Sequence, residues 1–456
     1  MSYPTSHTSQ EAPRGEARFS GAGGRAWLAI ALGVAAVGWG ANQFAPLLLM
    51  YRSELGVPTT TVEATYALYA VGLIPGLLLG GPFSDRYGRR RVLVPALVIS
   101  ALASGLLMLA GSGIGWLFVG RLVAGAASGA AFSSGTAWIK ELTVSGSGRD
   151  EHTGARRATI GMTMGFAVGP LVAGLLAHAA PDPVVSSYVP HVVLTLAAVP
   201  FVLHTPETNA ANGDAPLWSR LRLPEESSRR FWTVVVPLAP WVFGASAIAL
   251  AYLPGLVLDR LGDNALMFSA VVTMLTMVAG IVVQPLARRV SHPDKPYLIA
   301  TALGIVVGGL VFGAVAAADA HWWIVAVAAL VLGAGYGCCL VCGLMEVQRM
   351  ASTEELGRLT AIFQAFAYLG FGAPYLLALI EHVVPPSESL LLAAVLAVLT
   401  LAWTTYRALH GSESQRARRR RTHQSDPVVP VDDLAGADAE REPVPGLRGH
   451  FLTEKD

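Results

Sequence analysis

Charge is what this sequence lacks most. Only 14% of its 456 residues are Asp, Glu, Lys or Arg, against 53% hydrophobic, where a water-soluble chain carries about a quarter charged residues. An ordinary water-soluble domain is thereby excluded. Cysteine is nearly missing: Cys338, Cys339 and Cys342 share one apolar run, so no extracellular disulfide framework can be built from them. No His joins them, which leaves small packing residues rather than a metal site. No Walker-type Gly-rich loop with Lys occurs, so ATP is not the expected energy source. A membrane enzyme or sensor would need His, Asp or Cys clustered at one membrane depth, and no such cluster is found. No enzyme activity, cofactor, metal or nucleic-acid partner is therefore expected.

Apolar length is what the chain has instead. Mean hydropathy is +0.51, and runs of about 20 apolar residues, enough to cross ~30 Å of hydrocarbon, recur along most of it. Twelve such runs are expected, at Arg25–Met50, Thr60–Pro82, Val92–Ala110, Trp116–Lys140, Ala158–Ala180, Tyr188–His204, Phe231–Val257, Ala265–Ala287, Tyr297–Ala317, Trp322–Val347, Leu359–His382 and Ser389–His410. The pattern predicts an all-α membrane protein. Residues 1–24 are polar, rich in Ser, Pro and Gly, and lack the apolar core of a cleavable signal; they read as a disordered cytoplasmic tail. The polar stretch 205–230 separates six expected spans (25–204) from six more (231–410), and 411–456, basic and then acidic and Pro-rich, reads as a second disordered tail.

Basic residues set the expected orientation. With the N-terminus inside, the inner segments hold Arg14, Arg18 and Arg25, Arg86 to Arg91, Arg149, Arg156 and Arg157, and Arg220, Arg222, Arg229 and Arg230. They continue with Arg288, Arg289 and Lys295, then Arg349 and Arg358, and finally the run from Arg416 to Arg421; the other side has Arg52 and Arg260. Both termini are therefore expected in the cytoplasm. The excess of Arg over Lys, with abundant Ala and Gly, is compatible with a GC-rich bacterial source.

The densest charge lies in Gly81-Pro-Phe-Ser-Asp85-Arg86-Tyr-Gly88-Arg89-Arg90-Arg91-Val-Leu93. This stretch closely resembles the loop signature that joins the second and third helices of the major facilitator superfamily, with Phe83 where Leu is usual. Thr205-Pro206-Glu207-Thr208 is similar to the Pro-Glu-Thr that often follows that family's sixth span, and Gln284-Pro-Leu-Ala-Arg288-Arg289 resembles a decayed copy of the loop. The resemblance covers roughly Arg25 to His410. It implies twelve helices in two pseudo-symmetric six-helix bundles, a small-molecule substrate, and a monomer in a bacterial inner membrane. It also implies a latch at the inner face, with Arg89 reaching Glu141. Asp85 is expected to face the start of the eleventh span, near Glu355 to Leu359, whose free N–H groups attract a carboxylate. The plainer alternative is that Gly81, Asp85, Arg86, Gly88, Arg89 and Arg90 only fix topology.

Arg121 stands inside an apolar run, where a central Arg costs about 2.5–3.5 kcal/mol on insertion scales. Leu117-x-x-x-Arg121-x-x-x-Gly125-x-x-x-Gly129 resembles the family's fourth-span signature, associated with proton coupling, with Ala124 in place of a Gln. An arginine snorkelling to the outer surface is the alternative. Gly165-x-x-x-Gly169-Pro170-x-x-Ala173-Gly174 is similar to the antiporter signature of drug–proton exporters, although glycines four apart also serve generic helix packing. Few acids are placed to carry protons: Glu346 near the inner end of the tenth span is the favoured one, and Glu63 and Glu381 lie near the outer face. Trp39, Asn42, Gln43, Phe44, Tyr66, Tyr69, Tyr336, Gln364, Phe366 and Tyr368 offer amphipathic or aromatic groups for a flat lipophilic substrate, neutral or cationic. The expectation is an exporter of small organic molecules by proton antiport, with a proton-coupled importer of a metabolite as the alternative.

Overall fold

The computed structural model describes residues 25–147, 150–209, 229–290, 297–351 and 355–425. The expected tail 1–24, residues 426–456 of the expected tail 411–456, most of the central loop, and Arg149, Arg220, Arg222 and Lys295 lie outside the described residues, whereas 411–425 of that second tail is helical. No strand occurs among the described residues. That is what a hydrocarbon environment demands, since a helix satisfies every backbone N–H and C=O within its own segment. Among the described residues eleven helical stretches are long and apolar enough to cross a membrane, and the outward surface is apolar: Leu102, Val193 and Leu399 are each 61% exposed. The chain is a multi-pass membrane protein. Residues up to Leu409 form one compact unit; His410–Asp456 forms another, helical as far as Ser425.

In the first unit, α1 (Ala26–Asn42) and α2 (Phe44–Leu55) make one apolar stretch interrupted at Gln43. Pro46 has no N–H to give the Asn42 carbonyl, which accounts for the break. Next come α3 (Thr59–Tyr87), α4 (Arg89–Met108), α5 (Gly115–Ser147), α6 (Glu151–Ala179) and α7 (Val189–His204). A 59-residue helical stretch, Phe231–Arg289, follows. It contains α8 (Val236–Ala247), π-helical turns on either side of it, and most of α9 (Ala265–Val290). The rest is α10 (Tyr297–Asp319), α11 (Trp322–Met350), α12 (Leu356–Tyr368), α13 (Ala373–Ile380) and the apolar helical stretch Pro386–His410. Pro374 deprives the Gly370 carbonyl of its donor, and Leu369–Gly372 tightens to a 3-10 turn between α12 and α13.

Glycine sets how closely these helices pack. Lipid tails are as apolar as Leu, so helices gain from contact chiefly where small residues let backbones approach. A Cβ on Gly72 would strike the Leu122 carbonyl, and one on Gly125 the Tyr69 carbonyl, so α3 and α5 interlock from both sides. The same device joins α9 to α11, where Gly333 meets Thr276 and Gly337 meets Gly280. The glycines of the antiporter-like motif belong to this scheme. Gly165 lies on the Ala35 carbonyl of α1, a Cβ on Gly169 would stand 2.8 Å from Trp39 Cα, and one on Gly174 would stand 2.5 Å from Ala270 Cβ of α9. Pro170 follows Gly169 inside α6.

Gly125→Val has no space at this seam. It is expected to remove at least 3 kcal/mol of stability, the upper end of ordinary overpacking, seen as loss of the monodisperse peak in detergent or a large fall in melting midpoint. Gly304→Ala, which meets nothing within 4 Å, should leave the midpoint unchanged or raise it.

Candidate functional site

Three features could carry function: a charged cluster at one end of the bundle, a caged arginine, and a cavity between the two groups of helices. The cluster is built around Gly88, whose φ of 101° no side chain favours. Its missing Cβ also matters, because one would stand 3.0 Å from Glu207 Oε2. Glu207 accepts from the backbone N–H groups of Arg89 at 3.0 Å and Arg90 at 2.9 Å, so a carboxylate seals the positive N-terminus of α4. The Arg89 guanidinium reaches Asp85 Oδ1 at 2.6 Å, Ser84 Oγ at 2.6 Å and Glu141 Oε1 at 2.7 Å. Arg89 is 7% exposed, and its carboxylate partners offset the cost of that burial. Arg90 donates to the Thr205 carbonyl at 2.5 Å, Thr208 donates to Glu141 at 2.5 Å, and Trp138 Nε1 donates to the Pro206 carbonyl at 3.2 Å. Gly81 contributes only its carbonyl, to Ser84 Oγ at 2.8 Å, and Arg86 lies over the Tyr87 ring at 5.5 Å. Asp85 therefore has Arg89 as a partner, while α12 packs along α3. Sequence reasoning gave Glu207 no contact, although its Pro-Glu-Thr signature was visible.

Arg121 is fully buried, and none of its side-chain nitrogens has a hydrogen-bond partner. Its charge rests instead on ring faces: Phe44 at 4.3 Å, Tyr69 at 4.4 Å and Tyr66 at 5.8 Å. Snorkelling to a surface is thus ruled out for this conformation. Each such contact is worth about 0.5–2 kcal/mol, without the directional bonds a guanidinium normally makes. Gln43, next to Phe44 in the chain, makes a hydrogen bond of its own. It donates to Ser104 Oγ at 3.1 Å, which is 2.8 Å from His191 Nδ1, all three being buried.

The cavity is small in this conformation and lies between the two groups of helices. The N-terminal helices supply Ala41, Asn42, Tyr69, Phe132 and Phe166 to its wall, and the later ones Phe243, Ser246, Leu250, Met277, Tyr336, Tyr368 and Phe371. The interrupted backbones at Gln43 and at Leu369–Gly372 both adjoin it, as expected of irregular backbone at membrane depth. Phe243 stacks on Tyr368 with centroids 4.3 Å apart and 9° between planes. Among the sequence candidates Asn42, Tyr69, Tyr336 and Tyr368 line it. Trp39 instead packs under Gly165 and Gly169, Gln43 faces Ser104, and Phe366 meets Trp232 edge-on at 5.7 Å. Gln364 is half-buried and is not in the wall. Half of the wall residues that sequence reasoning missed are phenylalanines, which a lipid-facing position would suit equally.

Glu346, 3% exposed, lies near the cluster-side end of α11. Its Oε2 accepts from Arg230 at 2.8 Å and 2.9 Å and its Oε1 from Arg349 at 2.8 Å. Both oxygens are thus engaged by guanidinium groups.

The sequence profile of the Major Facilitator Superfamily matches residues 28–375. A chloramphenicol resistance protein of Pseudomonas aeruginosa is 25% identical over 60% of this chain, and a glucose transporter GlcP of Staphylococcus epidermidis is 29% identical over 25% of it. The matches span 64% of the first relative's length and 25% of the second's. The fold is similar to that of a POT family transporter solved in complex with 5-aminolevulinic acid, at a TM-score of 0.68 and 10% identity over 84% of this chain and 96% of that one. The chain belongs to the Major Facilitator Superfamily.

Proposed function

We propose that this transporter exports small, uncharged, aromatic-bearing organic molecules in exchange for protons, by alternating access. The observation that carries the reading is the cavity wall: it draws on both groups of helices, is rich in aromatic rings, and contains no charged side chain. Such a wall favours flat apolar ligands and gives an ionic one no partner. The relative named for chloramphenicol resistance supports export, and the antiporter-like run from Gly165 to Gly174 packs across to α9. The relative named as a glucose transporter sustains a second reading, a proton-coupled importer.

The reading takes the helices as twelve spans in two pseudo-symmetric bundles, 25–204 and 231–410, joined by the loop 205–230. The 59-residue stretch Phe231–Arg289 would run roughly 88 Å at ~1.5 Å per residue, far beyond one ~30 Å core. Gly262, at φ 49°, stands where it would turn. Both termini lie in the cytoplasm of a bacterial cell, and the protein works as a monomer. Glu207, Arg89, Asp85 and Glu141 form the inner latch of the first bundle, and Arg230, Glu346 and Arg349 pin the second. Arg121 biases the cycle: dry and unpaired it is tolerated, and hydration on opening relieves it.

In inverted vesicles, an acid interior should drive accumulation of aromatic compounds, with no accumulation once the gradient is collapsed. A gradient that drives the same compounds the opposite way would establish the importer instead. Arg121→Ala should cut gradient-driven transport at least tenfold while membrane insertion persists, measured by the same uptake assay with quantified protein.

Glu346→Gln should lower stability by about 2 kcal/mol, less than for a fully buried pair because its arginines are partly exposed, and leave the pH profile of transport unchanged. A shifted profile at unchanged melting midpoint would make Glu346 a proton carrier rather than a pin.

A further inference from the structure

At the end of α3 away from Asp85, roughly 33 Å along the helix at ~1.5 Å per residue, a second set of ionisable groups spans the two bundles. Glu63 is 3% exposed, and its Oε2 is buried without a hydrogen-bond partner. The neighbouring charges that act on it are Arg52, at the end of α2, and Glu381, just past α13. α13 packs on α3, and one turn beyond Glu63 the Tyr66 ring stacks on Phe371 at 5.2 Å. Tyr252, whose hydroxyl is 3.4 Å from Ser389 Oγ, also faces Glu381. Arg52 lies so close to the later bundle that a Cβ on Gly255 would stand 2.7 Å from its Nη1. Tyr66 and Tyr252 are the other titratable groups facing the pair, and Arg121 acts on Tyr66 from α5.

We infer that Glu63, faced by Glu381 from the other bundle, is a one-proton site at the face opposite the latch, and that taking up this proton closes that face. Two carboxylates and one guanidinium leave one negative charge in excess, and a single proton from bulk water removes it. Without that proton, two carboxylates on opposing walls repel each other in a poorly hydrated crevice, and separation restores their solvation. Glu63 is then the coupling group on the proton's side of entry. This rests on the alternating-access reading and assigns it a proton site that neither Arg121 nor Glu346 supplies.

The test is a distance. Spin labels at Pro58→Cys and Val383→Cys, both on exposed positions, in a Cys338→Ala, Cys339→Ala, Cys342→Ala background, report the separation of the walls in lipid nanodiscs. Uptake of one proton predicts that the closed-to-open ratio falls about tenfold per pH unit across the transition, so the short distance dominates at acid pH and the long one at alkaline pH. Glu63→Gln should stay short throughout, and Glu63→Asp should recover the pH response. A distance in the parent protein that ignores pH overturns the site, as does an unaltered pH response in Glu63→Gln. Because no substrate enters the measurement, a pH-dependent distance together with absent transport would refute the exporter and keep the site, and the converse would refute the site alone.

Discussion

A guanidinium sealed among aromatic rings, without one hydrogen-bond acceptor, is the constraint around which the N-terminal helices are arranged. Arg121 can hold its charge there only because Phe44 and Tyr69 present their faces within 4.4 Å. Tyr69 is shared: one side lies near the arginine and the other forms part of the cavity wall. Its backbone carbonyl is also the atom that Gly125 must clear on α5. Cavity shape, charge placement and helix spacing thus converge on a few residues of α3 and α5, and a change in one propagates through close-packed neighbours rather than being absorbed.

Two other buried charges, Arg89 and Glu346, obey the opposite rule. Arg89 is matched to carboxylates within 2.7 Å, and Glu346 to two arginines. Groups satisfied in this way resist change and suit an anchoring role, whereas Arg121 and Glu63 are left wanting partners in this conformation. A carrier that visits more than one arrangement needs both kinds. The glycine seams supply the complementary property, a smooth backbone contact on which helices can approach without interdigitated side chains.

Much of this was legible in the sequence, for reasons that differ by feature. Helix type follows from apolar length, since hydrocarbon leaves the backbone no other solution. The count reached eleven stretches rather than twelve because the link before α9 is itself helical, through Leu258–Leu261 and the turns beside it. The contact of Arg89 with Glu141 was visible in the charge pattern and the family signature. The cavity wall was less so. A span apolar on every side has no amphipathic stripe to show which face is inward, so Trp39 and Gln43 looked as eligible as Asn42 one turn or one residue away. Phe132, Phe166, Phe243 and Phe371 carry no polar mark to separate an inward ring from a lipid-facing one. The sequence marks Glu63 only as an acid near the outer face; that its Oε2 is buried without a hydrogen-bond partner is a tertiary fact.

The central claim is that the aromatic cavity opens to one face of the membrane at a time. Asn42→Cys, in a background without the native cysteines, places a thiol in its wall for labelling by a membrane-impermeant maleimide added to one side of sealed vesicles. The account predicts labelling from either face, with an imposed pH gradient raising one rate as it lowers the other. Rates that rise together, or a thiol never reached from one face, would contradict it.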